Sequence, residues 1–142
     1  MKKLSLFCLL ISLSTIIFAD DKIIGEWAVD CEGMPFSRIY TDEGINKIQL
    51  ASNQIYIDVL YKASNNPDDG LNILFEKPSS LGRGGVGFPW SQFSKNKPLG
   101  NFKKVSEKEA ILEWYGFYTV KGKFIEVPSD FSKIGKLHRC TK

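Results

Sequence analysis

The chain has 142 residues, with 19 lysines and arginines against 16 aspartates and glutamates, and a formal net charge of +3. This near balance excludes a broadly basic nucleic-acid-binding protein, which carries a marked excess of positive charge. The length suits one domain with a single hydrophobic core, preceded by a short leader segment.

The N-terminal segment 1–19 has the order of features found in a secretory signal peptide. Two lysines precede an apolar run that ends at Phe18, and Ala19 stands directly before two aspartates. The run is too short and too close to the N-terminus for a permanent membrane helix. We therefore expect cleavage after Ala19, export to the periplasm or the medium, and a mature domain of residues 20–142 that does not associate with a membrane.

Two cysteines remain in the predicted mature chain, Cys31 near its start and Cys140 near its end. An oxidising compartment favours a disulfide between them. Redox-active pairs are more often spaced C-x-x-C, and a cysteine held in a structural disulfide is not available as a nucleophile. We predict a structural bridge that joins the two ends of the domain.

Alternation with a period of two dominates the mature chain and predicts β-strands. Two segments show it best, with apolar residues on one face at Ile23, Trp27, Val29 and Cys31, and at Ile55, Ile57, Val59 and Tyr61. Turn signals at 41–44, 65–70 and 121–122 separate the candidate strands, and the last predicts a tight hairpin. The segment after Ser106 is interpreted as a turn followed by a strand. The predicted fold is a single all-β domain, a small antiparallel barrel or sandwich closed by one disulfide.

Residues 77–102 form the one long segment without sustained alternation, and they contain three prolines, five glycines and four aromatic residues. They predict a long irregular loop, a kind of segment that often carries function. Gly82, Gly84 and Gly87 have the spacing G-x-G-x-x-G, but Pro89 opposes the helix that a dinucleotide loop requires. We therefore expect no nucleotide cofactor and interpret the glycines as turn formers.

The 77–102 loop is the predicted partner-binding surface, with Arg83, Phe88, Trp90 and Phe93 as its site residues. Aromatic and arginine side chains are typical binding hot spots. The stretch from Trp90 to Lys104 also carries Lys95, Lys97, Lys103 and Lys104. These lysines would suit an anionic glycan, a nucleic acid or an acidic protein cleft, or they would only solubilise a loop whose aromatic residues pack on the barrel.

The sequence offers no recognisable catalytic, metal or cofactor site. His138 is the single histidine, the G-x-S-x-G elbow of serine hydrolases is missing, and zinc would need several His or Cys ligands. Pro67 falls where a calcium loop needs an oxygen ligand, so 65–70 is interpreted as a plain turn. A carboxylate pair for glycoside hydrolysis stays open as an alternative, because separation in space is not visible in a sequence.

Gly25-Glu26-Trp27, at the start of the first predicted strand, resembles the G-x-W signature of the lipocalin and wider calycin barrels. In that family a basic residue near the C-terminus packs over the tryptophan, and the resemblance implies this role for Arg139. It also implies a barrel that carries a small apolar ligand. The early W-x-x-D-C and the final R-C look similar to uncharacterised exported bacterial proteins, a similarity that implies no activity.

The leading hypothesis is a non-catalytic exported module of the inhibitor or immunity type, which recognises a protein partner by inserting loop aromatics into a cleft. The alternatives are a calycin-like carrier and a hydrolase of cell-wall glycan. Under the leading hypothesis, Trp90→Ala weakens partner binding by about 2 kcal/mol with little change in melting temperature. Trp27→Ala instead lowers stability by about 3–5 kcal/mol, as the loss of a core side chain does.

Overall fold

The computed structural model describes residues 23–32, 37–42, 45–51 and 55–141. The predicted signal peptide and its cleavage site lie outside these residues. The described chain forms ten strands: β1 (Gly25–Ala28), β2 (Arg38–Asp42), β3 (Ile45–Leu50), β4 (Ile55–Ala63), β5 (Leu71–Ser80), β6 (Gly100–Lys104), β7 (Glu109–Trp114), β8 (Phe117–Tyr118), β9 (Phe124–Ile125) and β10 (Ile134–Cys140). No helical segment in this part of the chain has the length and hydropathy needed to cross a bilayer.

Eight of the strands close into an antiparallel barrel in the order β1-β10-β7-β6-β5-β4-β3-β2. The all-β prediction is confirmed, and of the two expected architectures the barrel is the one that forms. Neighbouring strands also follow one another in sequence, with two exceptions: the β8–β9 hairpin is inserted between β7 and β10, and the first strand, β1, pairs with the last, β10, to close the barrel. Closure leaves no free edge in the barrel sheet itself, and that removes a common route to aggregation.

The two ends of the barrel differ in their connections. At the end where β5 and β7 finish, the chain makes the long connections 81–99 and 115–133; this end is called the loop end. At the opposite end, the short connections 64–70 and 105–108 join β4 to β5 and β6 to β7. This second end, called the short-turn end, also receives the end of β10 and the start of β1.

The inward faces of the strands follow the predicted alternation. Ile55, Ile57 and Val59 of β4 are all buried, and so are the corresponding residues of the neighbouring β5, Ile73 and Phe75. A run of β-branched and aromatic residues at every second position suits a strand with one face against a core.

One prediction about the first strand was wrong. Val29 does not share the buried face with Trp27, because β1 ends at Ala28 and the Val29 side chain is 47% exposed. The chain leaves the sheet after Ala28, so the alternation of apolar residues in the sequence extends beyond the end of the strand.

The irregular segment is shorter than predicted. Residues 77–80 continue β5, and β6 begins at Gly100, so the irregular connection covers 81–99. It contains one 3-10 turn, Trp90–Gln92. Hydrogen bonds to strands fix the second half of the connection: Ser94 N–H donates to the Tyr118 carbonyl at 2.8 Å, and Leu99 N–H donates to the Ile73 carbonyl at 2.7 Å.

Two local predictions are confirmed. The segment after Ser106 is a turn followed by a strand, with Ser106 N–H donating to the Glu109 carbonyl at 3.0 Å. The tight hairpin also forms, with Gly122 N–H donating to the Thr119 carbonyl at 2.8 Å. Gly122 has a φ of +81°, a conformation that favours glycine.

A disulfide between Cys31 and Cys140 is present, as predicted, with Cα atoms 5.4 Å apart. It joins the segment that follows β1 to the last residue of β10. Arg38 reinforces this region by forming an ion pair with Glu26 and donating to the Cys31 carbonyl at 3.2 Å.

Candidate functional site

Trp90 and Phe93, which were predicted to face a partner, are part of the core instead. The Trp90 side chain is 8% exposed and that of Phe93 is 3% exposed. Their rings lie 5.4 Å apart, edge to face. The expectation failed because the preceding glycines allow the chain to turn inward, so that the aromatic residues cover the open end of the barrel rather than projecting from it.

These two residues belong to an aromatic cluster that closes the loop end. Phe75 of β5 stacks on Trp90 at 6.1 Å, and Phe117 of β8 lies 4.9 Å from Phe93 between ring centroids. The Trp90 indole N–H also donates to the Gly85 carbonyl at 2.6 Å. Aromatic pairs of this kind add about 0.5–1.5 kcal/mol each beyond their buried area. The cluster therefore anchors the 81–99 connection firmly on the barrel.

The segment 81–88, which precedes the buried Trp90, places several of its residues in solvent. Arg83 is exposed, as predicted, and Val86 is 71% exposed. Phe88 is half-buried, and its ring packs edge to face against Trp90 with the ring centroids 5.8 Å apart. Of the four predicted partner-binding residues, Arg83 is thus fully displayed, Phe88 partly, and Trp90 and Phe93 are not.

The glycines of this segment allow its backbone to make a tight turn. Gly82 has a φ of +52°, and Gly85 N–H donates to the Leu81 carbonyl at 2.8 Å. A Cβ on Gly85 would lie 2.5 Å from that same carbonyl oxygen, so a larger residue would not fit. The segment is therefore a compact turn with fixed geometry.

A groove of about 500 Å³ at the loop end was not foreseen from the sequence. It lies between residues 97–98, the β8–β9 hairpin and the chain around Lys133. Its lining is mainly aromatic and aliphatic, and the three charged side chains are those of Lys97, Glu126 and Lys133. The full lining consists of Lys97, Pro98, Trp114, Tyr115, Gly116, Tyr118, Phe124, Ile125, Glu126, Val127 and Lys133. The aromatic residues of the predicted hairpin were a local sign of this groove. Tyr118 and Phe124 pair across the hairpin, on the face opposite the buried Phe117.

Trp27 and Arg139 meet at the short-turn end, where the resemblance to calycins implies a contact. They are register partners on β1 and β10, and the guanidinium carbon lies 5.8 Å from the centre of the indole. Arg139 also donates to the Ile24 carbonyl at 2.5 Å. Gly25 leaves room for this arrangement, because a Cβ there would lie 2.9 Å from Arg139 Nε.

Side chains of the interior fill the barrel between its two ends. Phe102 contacts Trp27 edge to face at 5.3 Å and Tyr61 at 6.5 Å. The Tyr61 hydroxyl is buried without a hydrogen-bond partner, and burial raises its pKa above the ordinary value. An unpaired buried hydroxyl carries a desolvation cost.

The search for a metal site covers the described ranges 23–32, 37–42, 45–51 and 55–141. No three His, Cys, Asp or Glu side chains there are grouped so as to hold a metal ion. His138 is exposed on β10 and pairs in register with Glu109, whose pKa is lowered chiefly by a hydrogen bond from Lys136. The groove is lined by one carboxylate, that of Glu126, whereas glycoside hydrolysis uses two.

Comparison with known proteins gives no relative from which a role could be transferred. No protein-family model matches the chain, and neither a curated protein nor a solved structure matches it.

Proposed function

We propose that this protein is an exported, non-catalytic binding module of the inhibitor or immunity type, which recognises a protein partner through the segment 81–88. The observation that carries the proposal is that the exposed segment 81–88 is followed directly by a buried residue, Trp90, that anchors it to the barrel. Arg83 and Val86 project into solvent, while Trp90 is held in the core and bonded to Gly85. The partner-binding surface, which the sequence hypothesis placed over residues 77–102, is thereby narrowed to residues 81–88.

The physical advantage of this arrangement is preorganisation. Binding orders the side chains and loops at an interface, and each immobilised flexible side chain costs roughly 0.5–1.5 kcal/mol. A segment already fixed by an aromatic cluster and by backbone hydrogen bonds avoids much of that cost. Arg83 supplies a donor-rich charged group, Val86 an apolar contact, and both are free to meet a partner's cleft.

Export is supported by the disulfide, since such bonds persist in oxidising compartments and are rare in the cytosol. It also agrees with the leader-like composition of residues 1–19. A periplasmic or secreted location would place the binding segment in contact with periplasmic, surface or extracellular proteins.

The proposal is tested by affinity capture from periplasmic and culture extracts, followed by dissociation constants for the partner identified. The double variant Arg83→Ala/Val86→Ser is expected to weaken that complex about tenfold or more. Lys62→Ala/Val105→Ser is the matched control, because both of its side chains are exposed away from the loop end. Equal affinities for the two double variants would contradict recognition through residues 81–88.

A carrier of a small apolar ligand is the second candidate. The closed eight-stranded barrel, the contact of Arg139 with Trp27 and the unpaired Tyr61 hydroxyl support it. The tight contacts of Phe102 with Trp27 and Tyr61 count against it, because a ligand would have to displace them. Native mass spectrometry of the exported protein would reveal a co-purifying small molecule if the barrel carries one.

A further inference from the structure

A second surface at the loop end, the groove beside the β8–β9 hairpin, has the features of a binding site in its own right. Phe124 is 51% exposed and Tyr115 is 41% exposed, although large aromatic side chains are costly to leave in water. Trp114, Tyr118 and Val127 continue the same lining. This surface shares no residue with the segment 81–88, so it is independent of the function proposed above.

The groove is preformed by the hairpin and by one glycine. The ring centroids of Tyr118 and Phe124 lie 5.3 Å apart with an angle of 64° between the ring planes, and the Phe124 ring lies against Gly116. A Cβ on Gly116 would lie 2.8 Å from Phe124 Cε2, and its φ of +79° also favours glycine. The aromatic wall therefore keeps its place without an occupant.

Positive charge surrounds this apolar lining. Lys97 and Lys133 line the groove, and Lys95, Lys121 and Lys123 lie on the chain segments that border it. Within the described residues, none of these five lysines has a carboxylate within 4 Å, whereas Lys47 and Lys136 on the outside of the barrel do. Lys97 Nζ instead lies 3.3 Å from the centre of the Tyr118 ring. The lining also carries one carboxylate, that of Glu126, so its two lysines leave it with a net positive charge, to which an acidic ligand is complementary.

The hairpin also offers unused backbone groups. Thr119 N–H donates to the Lys123 carbonyl at 2.9 Å, so the next pair, Tyr118 and Phe124, falls at a non-hydrogen-bonded position of the antiparallel ladder. The N–H and C=O of Phe124 therefore point away from β8, toward the edge of β9 that has no neighbour in this two-stranded sheet. An extended chain can add to such an edge.

We propose that this groove binds an extended acidic peptide segment of another protein. The segment inserts an apolar or aromatic side chain against Phe124, places carboxylates beside Lys97 and Lys133, and aligns its backbone with β9. A glycan fits less well, because the lining offers few polar groups to pair with sugar hydroxyls, and unpaired polar groups are costly to bury.

The test uses a random twelve-residue peptide display library selected against the whole protein. We expect the selected peptides to combine aspartate or glutamate with an aromatic or aliphatic residue. A synthetic copy of the strongest binder should lose affinity about tenfold or more with Phe124→Ala, and similarly with Lys97→Glu/Lys133→Glu. It should also bind more weakly as salt is raised.

Matched controls keep the result specific. Lys62→Glu/Lys103→Glu makes the same charge change on exposed strand positions outside the groove and should leave the affinity within about twofold. Arg83→Ala/Val86→Ser should also have no effect, so a failure here is distinguishable from a failure of the 81–88 proposal. Thermal melting of each variant confirms that it is folded.

Several outcomes would overturn the proposal. One is the selection of peptides without acidic residues, and another is affinity that depends on Arg83 but not on Phe124. A third is an NMR titration in which a sulfated hexasaccharide shifts the Phe124 and Gly116 amide signals while no selected peptide does. That last result would assign the groove to an anionic glycan.

Discussion

The two buried tryptophans, Trp27 and Trp90, close opposite ends of the barrel, and each indole N–H donates to a nearby backbone carbonyl. Trp27 donates its indole N–H to the Ile23 carbonyl at 2.9 Å, and Trp90 donates to Gly85 at 2.6 Å. In each case the acceptor is a backbone carbonyl four or five residues earlier. A large apolar ring with one polar atom can be buried cheaply only if that atom is paired. Both residues therefore hold local backbone as well as the core.

This equivalence leads to a prediction that reverses the expectation from the sequence. Trp90→Ala should lower the free energy of unfolding by about 3–5 kcal/mol, similar to Trp27→Ala, because both remove a buried aromatic side chain. Urea denaturation of the two variants beside the wild type is the measurement. Trp90→Phe, which keeps most of the ring contact but loses the bond to Gly85, should fall between. An unchanged midpoint for Trp90→Ala would mean that the aromatic cluster does not support the fold.

At the scale of elements, one serine links three connections at the loop end. Ser37 precedes β2 and is 1% exposed. Its hydroxyl oxygen accepts from Ala51 N–H at 3.0 Å, after β3, and from Asp130 N–H at 2.8 Å, before β10. Its own N–H donates to Asp130 Oδ2 at 3.0 Å. The three segments are thus tied at a single point, although they are far apart in sequence.

Loss of this junction should be measurable. Ser37→Ala leaves the Ala51 and Asp130 amides without their acceptor, and we expect a loss of about 1–3 kcal/mol in unfolding free energy. Ser106→Ala is the control, since its hydroxyl also accepts a backbone N–H, that of Lys108, but in an exposed turn. Hydrogen exchange should further show faster opening at Ala51 in Ser37→Ala. Equal stability of the two variants would indicate that water replaces the serine.

For the whole molecule, the disulfide is the strongest covalent constraint. It links residues separated by 109 positions and so restricts the unfolded chain over nearly the entire domain. Cys31→Ser/Cys140→Ser should lower stability by about 2–5 kcal/mol. Labelling of the denatured, unreduced protein prepared without residues 1–19 should detect no free thiol. Two reactive thiols, or a double variant as stable as the wild type, would contradict a structural role.

The all-β class was predictable because it rests on local patterns, such as the alternation in β4 and the hairpin at 121–122. The sequence left a barrel and a sandwich open, because that choice depends on which distant strands pair. The pairing of Cys31 with Cys140 was inferred from the number of cysteines and the expected export, and the disulfide is present. The exposure of the loop aromatics was not predictable. Trp90 is buried because Phe75 and Phe117 meet it from distant strands, and no local pattern records such contacts.

In the candidate sites, too, features that depend on local sequence were predictable, and features that depend on contacts between distant segments were not. Arg83 was placed on the surface correctly, since a charged residue among glycines has little reason to be buried. The groove depends on Lys97, Trp114 and Lys133 coming together from three parts of the chain. Its only local trace was an unusual number of aromatic residues around a predicted hairpin, and a hairpin alone does not tell which of its faces is covered.

The position of the disulfide has a mechanical consequence. If the chain is pulled from its two ends, tension runs from the N-terminal side to Cys31, across the bridge to Cys140, and out through Thr141. The backbone of residues 32–139 lies inside the closed loop, so the covalent path of the tension bypasses it. Only β1, which precedes Cys31, can be peeled from its neighbours β2 and β10. The other seven strands, the segment 81–88 and the groove would keep their form under a pull that strips the first strand away.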